Sequence, residues 1–151
     1  MRVLGHTAAS LTMGTILYNY AHSLNGFLCF LMAGVLIDAD HYLDYAREHG
    51  ISLNLKKVYN TCKTPTSFKR LTLILHSYEF VIILWALIFA FDLNIIWNYI
   101  AIGFTLHLLI DQVTNPVRSL SYFFLFRALN SFKVEKVFIT KRGVEHAYWN
   151  R

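Results

Sequence analysis

Residues 24–41 read LNGFLCFLMAGVLIDADH. Leu24 to Ile37 carry no charge, and the run then meets Asp38, Asp40 and His41. An apolar stretch of this length, with no Pro and no two-residue alternation, predicts a helix that is buried or faces lipid. A helix needs about 20 residues to cross a bilayer. Residues 24–46 reach that length only by including the acids, which places Asp38 to His41 near one interface. Carboxylates and imidazoles on such a helix cost about 2.5–3.5 kcal/mol or more each, and that cost points to a use for them.

Working outward, three more helices are predicted. Helix A covers 3–20, helix C 68–91 and helix D 95–113, with Thr114-Asn115-Pro116 ending the last. Ser67 after Pro65 reads as an N-cap for helix C. Between helices B and C the polar, basic residues 47–66 predict a loop with a short surface helix at Ser52–Tyr59. Leu120 to Leu129, rich in Phe, predicts an interfacial helix, and 133–149 carries a weak hairpin pattern. The fold expected is all-α: a four-helix up-down-up-down transmembrane bundle with a short interfacial C-terminal segment. It forms one domain over 1–151, with a helical core at 3–113 and an interfacial, cytoplasmic tail at 117–151.

Composition agrees with this. The 151 residues are 56% hydrophobic and the mean hydropathy is +0.41, above the about 45–50% apolar content usual for soluble domains. The net charge of +5 favours membrane lipids over nucleic acid as the partner surface. The two cysteines, Cys29 and Cys62, make neither a disulfide framework nor a CxxC metal motif. The N-terminus lacks a cleavage pattern and reads as a retained helix. The A–B and C–D turns contain no Lys or Arg; all 14 lie at the N-terminus, in the B–C loop or after helix D. In an up-down bundle these regions share one side, which the positive-inside rule makes cytoplasmic.

The polar groups of the helices form four clusters: His6, then Asp38/Asp40/His41, then His76/Glu79, then His107/Asp111. Counted from the uncharged turns, each lies about 15–19 residues away, roughly 22–28 Å along its helix. All four therefore belong to one layer. Asp38 and His41, His76 and Glu79, and His107 and Asp111 are three or four residues apart, so each pair shares a helix face. Imidazole with carboxylate suits zinc, iron or manganese. The set exceeds one tetrahedral shell and suits one or two divalent ions. His6, Asp38, His41, His76, His107 and Asp111 are the expected ligands; Glu79 and Asp40 are the expected catalytic carboxylates. Asp44, His49, Glu145 and His146 are assigned to the surface, with Asp44 and Glu145 in reserve as ligands.

Gly5-His6, Asp38-Ala39-Asp40-His41, His76-Ser77 and His107-Leu-Leu-Ile-Asp111-x-x-Thr114 occur in an order that resembles the YdjM-like family of membrane-bound, metal-dependent hydrolases. The resemblance covers residues 5–116. It implies an inner-membrane hydrolase with a helical fold distantly similar to zinc-dependent phospholipase C, acting on phosphoesters. The chain departs from the family pattern ahead of His76, where Leu73-Ile74-Leu75 replace a further His and Thr, and around Asn115-Pro116, where a Gly is usual.

Two other classes fit some of these features. A redox module would hold haem between His pairs or a di-iron centre on repeated Glu-x-x-His, a spacing these helices lack. A metal transporter or adaptor would place ligands near the midplane on broken helices; here they gather at one end.

Overall fold

The computed structural model describes residues 3–62, 64, 67–115 and 117–137, with side chains from residue 7 onward. Among these residues it is helical throughout: α1 Val3–Ala21, α2 Leu24–Leu36, α3 Ala39–His49, α4 Leu55–Cys62, α5 Tyr78–Ala90, α6 Ile95–Thr114, α7 Phe124–Leu129 and α8 Val134–Val137. No strand occurs among them; a single antiparallel bridge joins Arg70 to Lys133.

Local chemistry sets the helix ends. His22 closes α1 in a left-handed conformation (φ +51°), and Ser23 caps α2 by accepting from the Gly26 amide at 3.1 Å. Asp92 turns the α5–α6 connection at φ +47°. Asn94 then caps α6, accepting from Ile96 N–H at 3.1 Å. These caps satisfy amides that the first helical turn leaves open.

α6 is the central element and packs on α2, α5 and α1. Ala33, Ile37, Val81, Leu84, Ile88, Ala101, Phe104 and Leu108 form the buried core between these helices, with Tyr122 added from the C-terminal segment. Gly103 sets the approach of α6 to α2. A Cβ at this position would lie 2.7 Å from the Phe30 carbonyl oxygen and 3.0 Å from the Ala33 Cβ. A second cluster of Tyr45, Val58, Phe68, Leu71, Leu73 and Val134 ties α3 and α4 to the segment before α5 and to α8.

Helix B is broken where its first acid stands. Ile37 and Asp38 keep right-handed helical angles. The bonds Asp38 N–H to Val35 O and His41 N–H to Asp38 O, both 3.1 Å, are i→i−3. A tightened 3₁₀ turn therefore sits at Asp38, a feature often found at functional positions inside helices. The run Leu24–His49 through this turn is the one described helix both long and apolar enough to cross a membrane.

Helix C departs further from the expected span of 68–91. It begins only at Tyr78, capped by Ser77, and residues 70–77 run outside any helix, with Leu73 at φ +45°. The 13-residue α5 is roughly 20 Å long, short of a hydrocarbon layer of about 30 Å. Four spanning helices thus reduce to one that meets the length and hydropathy a span requires. The helix expected over 120–129 is the six-residue α7. Val134–Val137 is a helical turn where a hairpin was expected, and the rest of that stretch lies outside the described residues.

Candidate metal centre

Four elements deliver five side chains to one place. The 3₁₀ turn supplies Asp38 and the first turn of α3 supplies His41. The non-helical segment before α5 supplies His76. His107 and Asp111, four residues apart on α6, point from one face.

The Nε2 atoms of His76 and His107 lie 3.5 and 3.6 Å from Asp38 Oδ1, and 3.5 and 3.7 Å from Asp111 Oδ2. His41 Nε2 lies 3.8 Å from the same Asp38 oxygen. Atoms bound to one zinc ion at about 2.1 Å stand roughly 3.4 Å apart at the tetrahedral angle and at most about 4.2 Å apart. The observed separations fall in that interval. They are too long for hydrogen bonds, and Asp38 Oδ1 and His76 Nε2 are buried without a hydrogen-bond partner. Buried polar atoms are normally satisfied. Among the described residues Asp38, His76 and His107 form one group that could hold a metal ion, and Asp40, His41 and His76 form a second.

The shell is closed on one side and open on the other. The His76, His107 and Asp111 side chains are 1–3% exposed, whereas Asp38 is 29% and His41 17% exposed. A small molecule would therefore approach past Asp38 and His41.

Partners outside the shell hold the ligands. His76 Nδ1 donates to Asp40 Oδ1 at 2.9 Å, which leaves Nε2 as the ligating nitrogen, as in carboxylate–histidine–metal arrangements. Asp40 Oδ2 accepts the Leu75 and His76 amides at 2.9 and 3.2 Å. One turn along α3, Asp44 Oδ2 accepts the Thr72 and Leu73 amides at 2.7 and 3.1 Å. Two carboxylates thus take the amides that a longer helix C would have used internally. From the other side the buried Arg127 guanidinium donates to the carbonyls of Leu73 and His76 at 2.9 and 3.0 Å. Asp111 has its own partner in the buried Tyr122 hydroxyl, which also accepts from Asn115 Nδ2 at 2.8 Å.

The electrostatics follow from this crowding. Burial by itself lowers the pKa of His76, but its contacts with Asp38 and Asp40 and the Asp111 charge raise it to about 9. A raised folded pKa means that the proton stabilises the metal-free fold at neutral pH and that this contribution fades as pH rises through about 9. A metal ion must displace that proton. Metal uptake at pH 7 is accordingly expected to release about one proton, seen as a dependence of the binding heat on buffer ionisation enthalpy. A buffer-independent heat would contradict the assignment of His76 as a ligand. Burial, with Asp111 nearby, drives the Tyr122 hydroxyl strongly upward, so it remains a neutral donor.

The expected site residues divide as follows. Asp38, His41, His76, His107 and Asp111 come together. His6 lies in α1, but its side chain is outside the described residues. Asp40 is not a spare base, because both its oxygens are engaged with His76 and its loop. Glu79 also has another role: its oxygens accept the Phe124 and Leu125 amides at 2.8 and 3.0 Å, capping α7. Asp44, set aside as a surface residue, is 5% exposed. Arg127 and Tyr122 were missed. The available signal for Arg127 was an arginine amid Phe124-Leu125-Phe126, where a charge needs a buried partner.

Comparison with protein-family models, with curated proteins and with solved structures finds no match to this chain.

The cap role of Glu79 makes a prediction. Glu79→Gln keeps one acceptor for the α7 amides and is expected to lower stability by about 1 kcal/mol with metal content unchanged. Denaturant unfolding and elemental analysis check this; loss of metal in that variant would return Glu79 to the site.

Proposed function

We propose that this chain is a membrane-bound, metal-dependent hydrolase. In this reading His76, His107, Asp38 and Asp111 hold a divalent ion, with His41 at the open edge, for one ion or a pair. Zinc fits the nitrogen–oxygen ligand set best; manganese and iron share it. The observation that carries the proposal is the pair of Nε2 atoms, each 3.5–3.7 Å from one oxygen of Asp38 and one of Asp111, with Asp38 and His41 partly exposed beside otherwise buried groups. A divalent ion held by these residues would supply Lewis-acid activation of water for hydrolysis. Asp38, the most exposed of the carboxylates here, is placed to receive the proton. A phosphoester or lipid headgroup is the substrate class that suits a basic interfacial surface.

Membrane attachment is supported by the Leu24–His49 run and by exposed apolar side chains on the four longer helices, among them Ile16, Met32, Val35, Ile82, Phe89 and Val113. Apolar side chains left exposed along several helices suit an apolar surrounding. Alkaline carbonate is expected to leave the protein in the membrane pellet. A cysteine placed at His22 should react from outside, and one in the 47–70 loop only from the cytoplasmic side. Release by carbonate would remove the membrane assignment, and the reverse labelling would put the site on the other face.

A second reading, a metal-binding protein without hydrolytic activity, is favoured by one observation. Both expected catalytic carboxylates, Asp40 and Glu79, are committed to backbone amides. Elemental analysis followed by phosphoester and phospholipid assays with and without chelator separates the two. Chelator-sensitive cleavage supports the hydrolase; a metal-loaded, folded sample that cleaves nothing supports the second reading.

A further inference from the structure

Beside the metal centre lies a separate pocket of about 470 Å³ whose lining includes Arg47, Lys69, Arg70, Thr72, Asp44 and Glu48. It shares a wall with the clamp that holds His76, since Asp44 is one helical turn from Asp40 and Thr72 is four residues before His76. Its two acids are already engaged. Asp44 accepts the Thr72 and Leu73 amides, and both Glu48 oxygens accept the Lys69 amide at 2.8 and 3.0 Å. Arg47 Nη1 donates to Thr72 Oγ1 at 2.7 Å and lies 3.7 Å from Asp44 Oδ1, an ion pair that offsets part of its charge. Among the described residues the Lys69 ammonium and the Arg70 guanidinium have no partner. Arg70 is moreover bridged directly opposite Lys133, and like charges facing each other across such a pair are destabilising. Three cations against two carboxylates line the pocket, with Lys133 opposite Arg70, so the lining keeps a net positive charge with Lys69 and Arg70 exposed to it.

We propose that this pocket binds a phosphate group. Guanidinium and ammonium groups around a shared space match the several oxygens of a phosphate, which can accept from Lys69 and Arg70 together. That the phosphate belongs to the molecule attacked at the metal rests on the hydrolase reading; the anion site itself does not.

The test uses the full-length protein as purified. Inorganic phosphate, followed by calorimetry or by a thermal shift against equal ionic strength of chloride, is expected to bind with a saturable response. Lys69→Gln with Arg70→Gln should weaken it about tenfold or more, the effect of losing charged hydrogen bonds. Both side chains are exposed, so folding is expected to survive, which circular dichroism checks. Lys133→Gln, with the lining intact, should weaken binding less. His107→Ala damages the metal shell and should leave phosphate binding in place, so failure of the metal reading and failure of this one are distinguishable. Vesicles of phosphatidylglycerol against phosphatidylcholine identify the source. Competition between phosphatidylglycerol and free phosphate assigns a lipid headgroup, and phosphate binding without such competition assigns a soluble phosphoester. No saturable response in the wild type, an equal response in the double variant, or loss of binding in His107→Ala would overturn the proposal.

Discussion

His76→Ala is expected to strip the protein of its metal. His76 is 1% exposed and faces both Asp38 and Asp111, so its imidazole is the ligand with the least freedom to be replaced by water. Structural zinc binds with about 10–16 kcal/mol shared over some four ligands, so one ligand accounts for roughly 3 kcal/mol, or about two orders of magnitude in affinity. The substitution also leaves Asp40 Oδ1 without the proton donor that occupies it. His76→Gln keeps a polar side chain of similar reach and should lose metal almost as completely, because the amide cannot place a donor atom at Nε2 with Nδ1 still tied to Asp40. Metal-to-protein ratio after gel filtration reads the result. A His76→Ala sample that retains the wild-type ratio would dismiss the centre described here.

Arg127→Met should give the largest loss of stability. The guanidinium is buried and bonded to the Leu73 and His76 carbonyls, with the charges of Asp40, Glu79 and Asp44 near it. Removing one partner of a buried charge set costs about 3–5 kcal/mol, since the remaining charges stay uncompensated. For a chain of this size that is about 10 °C or more in melting temperature. Metal affinity should fall by about 10–100-fold, as for other groups that orient ligands. Arg127→Lys retains the charge but reaches fewer acceptors, so it should recover part of the stability and less of the affinity. Unchanged melting in Arg127→Met would mean that the 70–77 segment is held mainly by Asp40 and Asp44.

That Asp38, His41, His76, His107 and Asp111 come together was legible in the sequence because their spacing follows helical geometry. Asp38 with His41 and His107 with Asp111 are three and four residues apart, and counting residues from uncharged turns placed them at a common depth. The all-helical class followed from uninterrupted apolar runs. What could not be read is the segment before α5. Leu71, Leu73 and Leu75 look like a continuation of helix C, and propensity alone would make them so. Asp40 and Asp44, some 30 residues earlier in sequence, instead accept the amides of residues 72, 73, 75 and 76. That competition between side-chain and helical acceptors depends on tertiary placement. The same blindness hid Arg127 and Tyr122, whose partners are a carbonyl pair and a carboxylate on distant segments. It also gave Glu79 a catalytic role from its spacing to His76, when its oxygens cap a helix 45 residues away.

Gly103 sits one helical turn before His107, where α6 meets the backbone of α2 at Phe30. The two helices then run on to Asp38 on one side and to His107 and Asp111 on the other, so the missing side chain works as a gauge for the gap between those groups. An alanine there would wedge the helices apart by a few tenths of an ångström or more, against bond lengths held to about 0.2 Å. A random mutagenesis screen for lost metal would therefore return position 103 alongside the histidines. Its signature would be weaker binding with every donor atom still present, a fault of calibration in a residue that has no chemistry of its own.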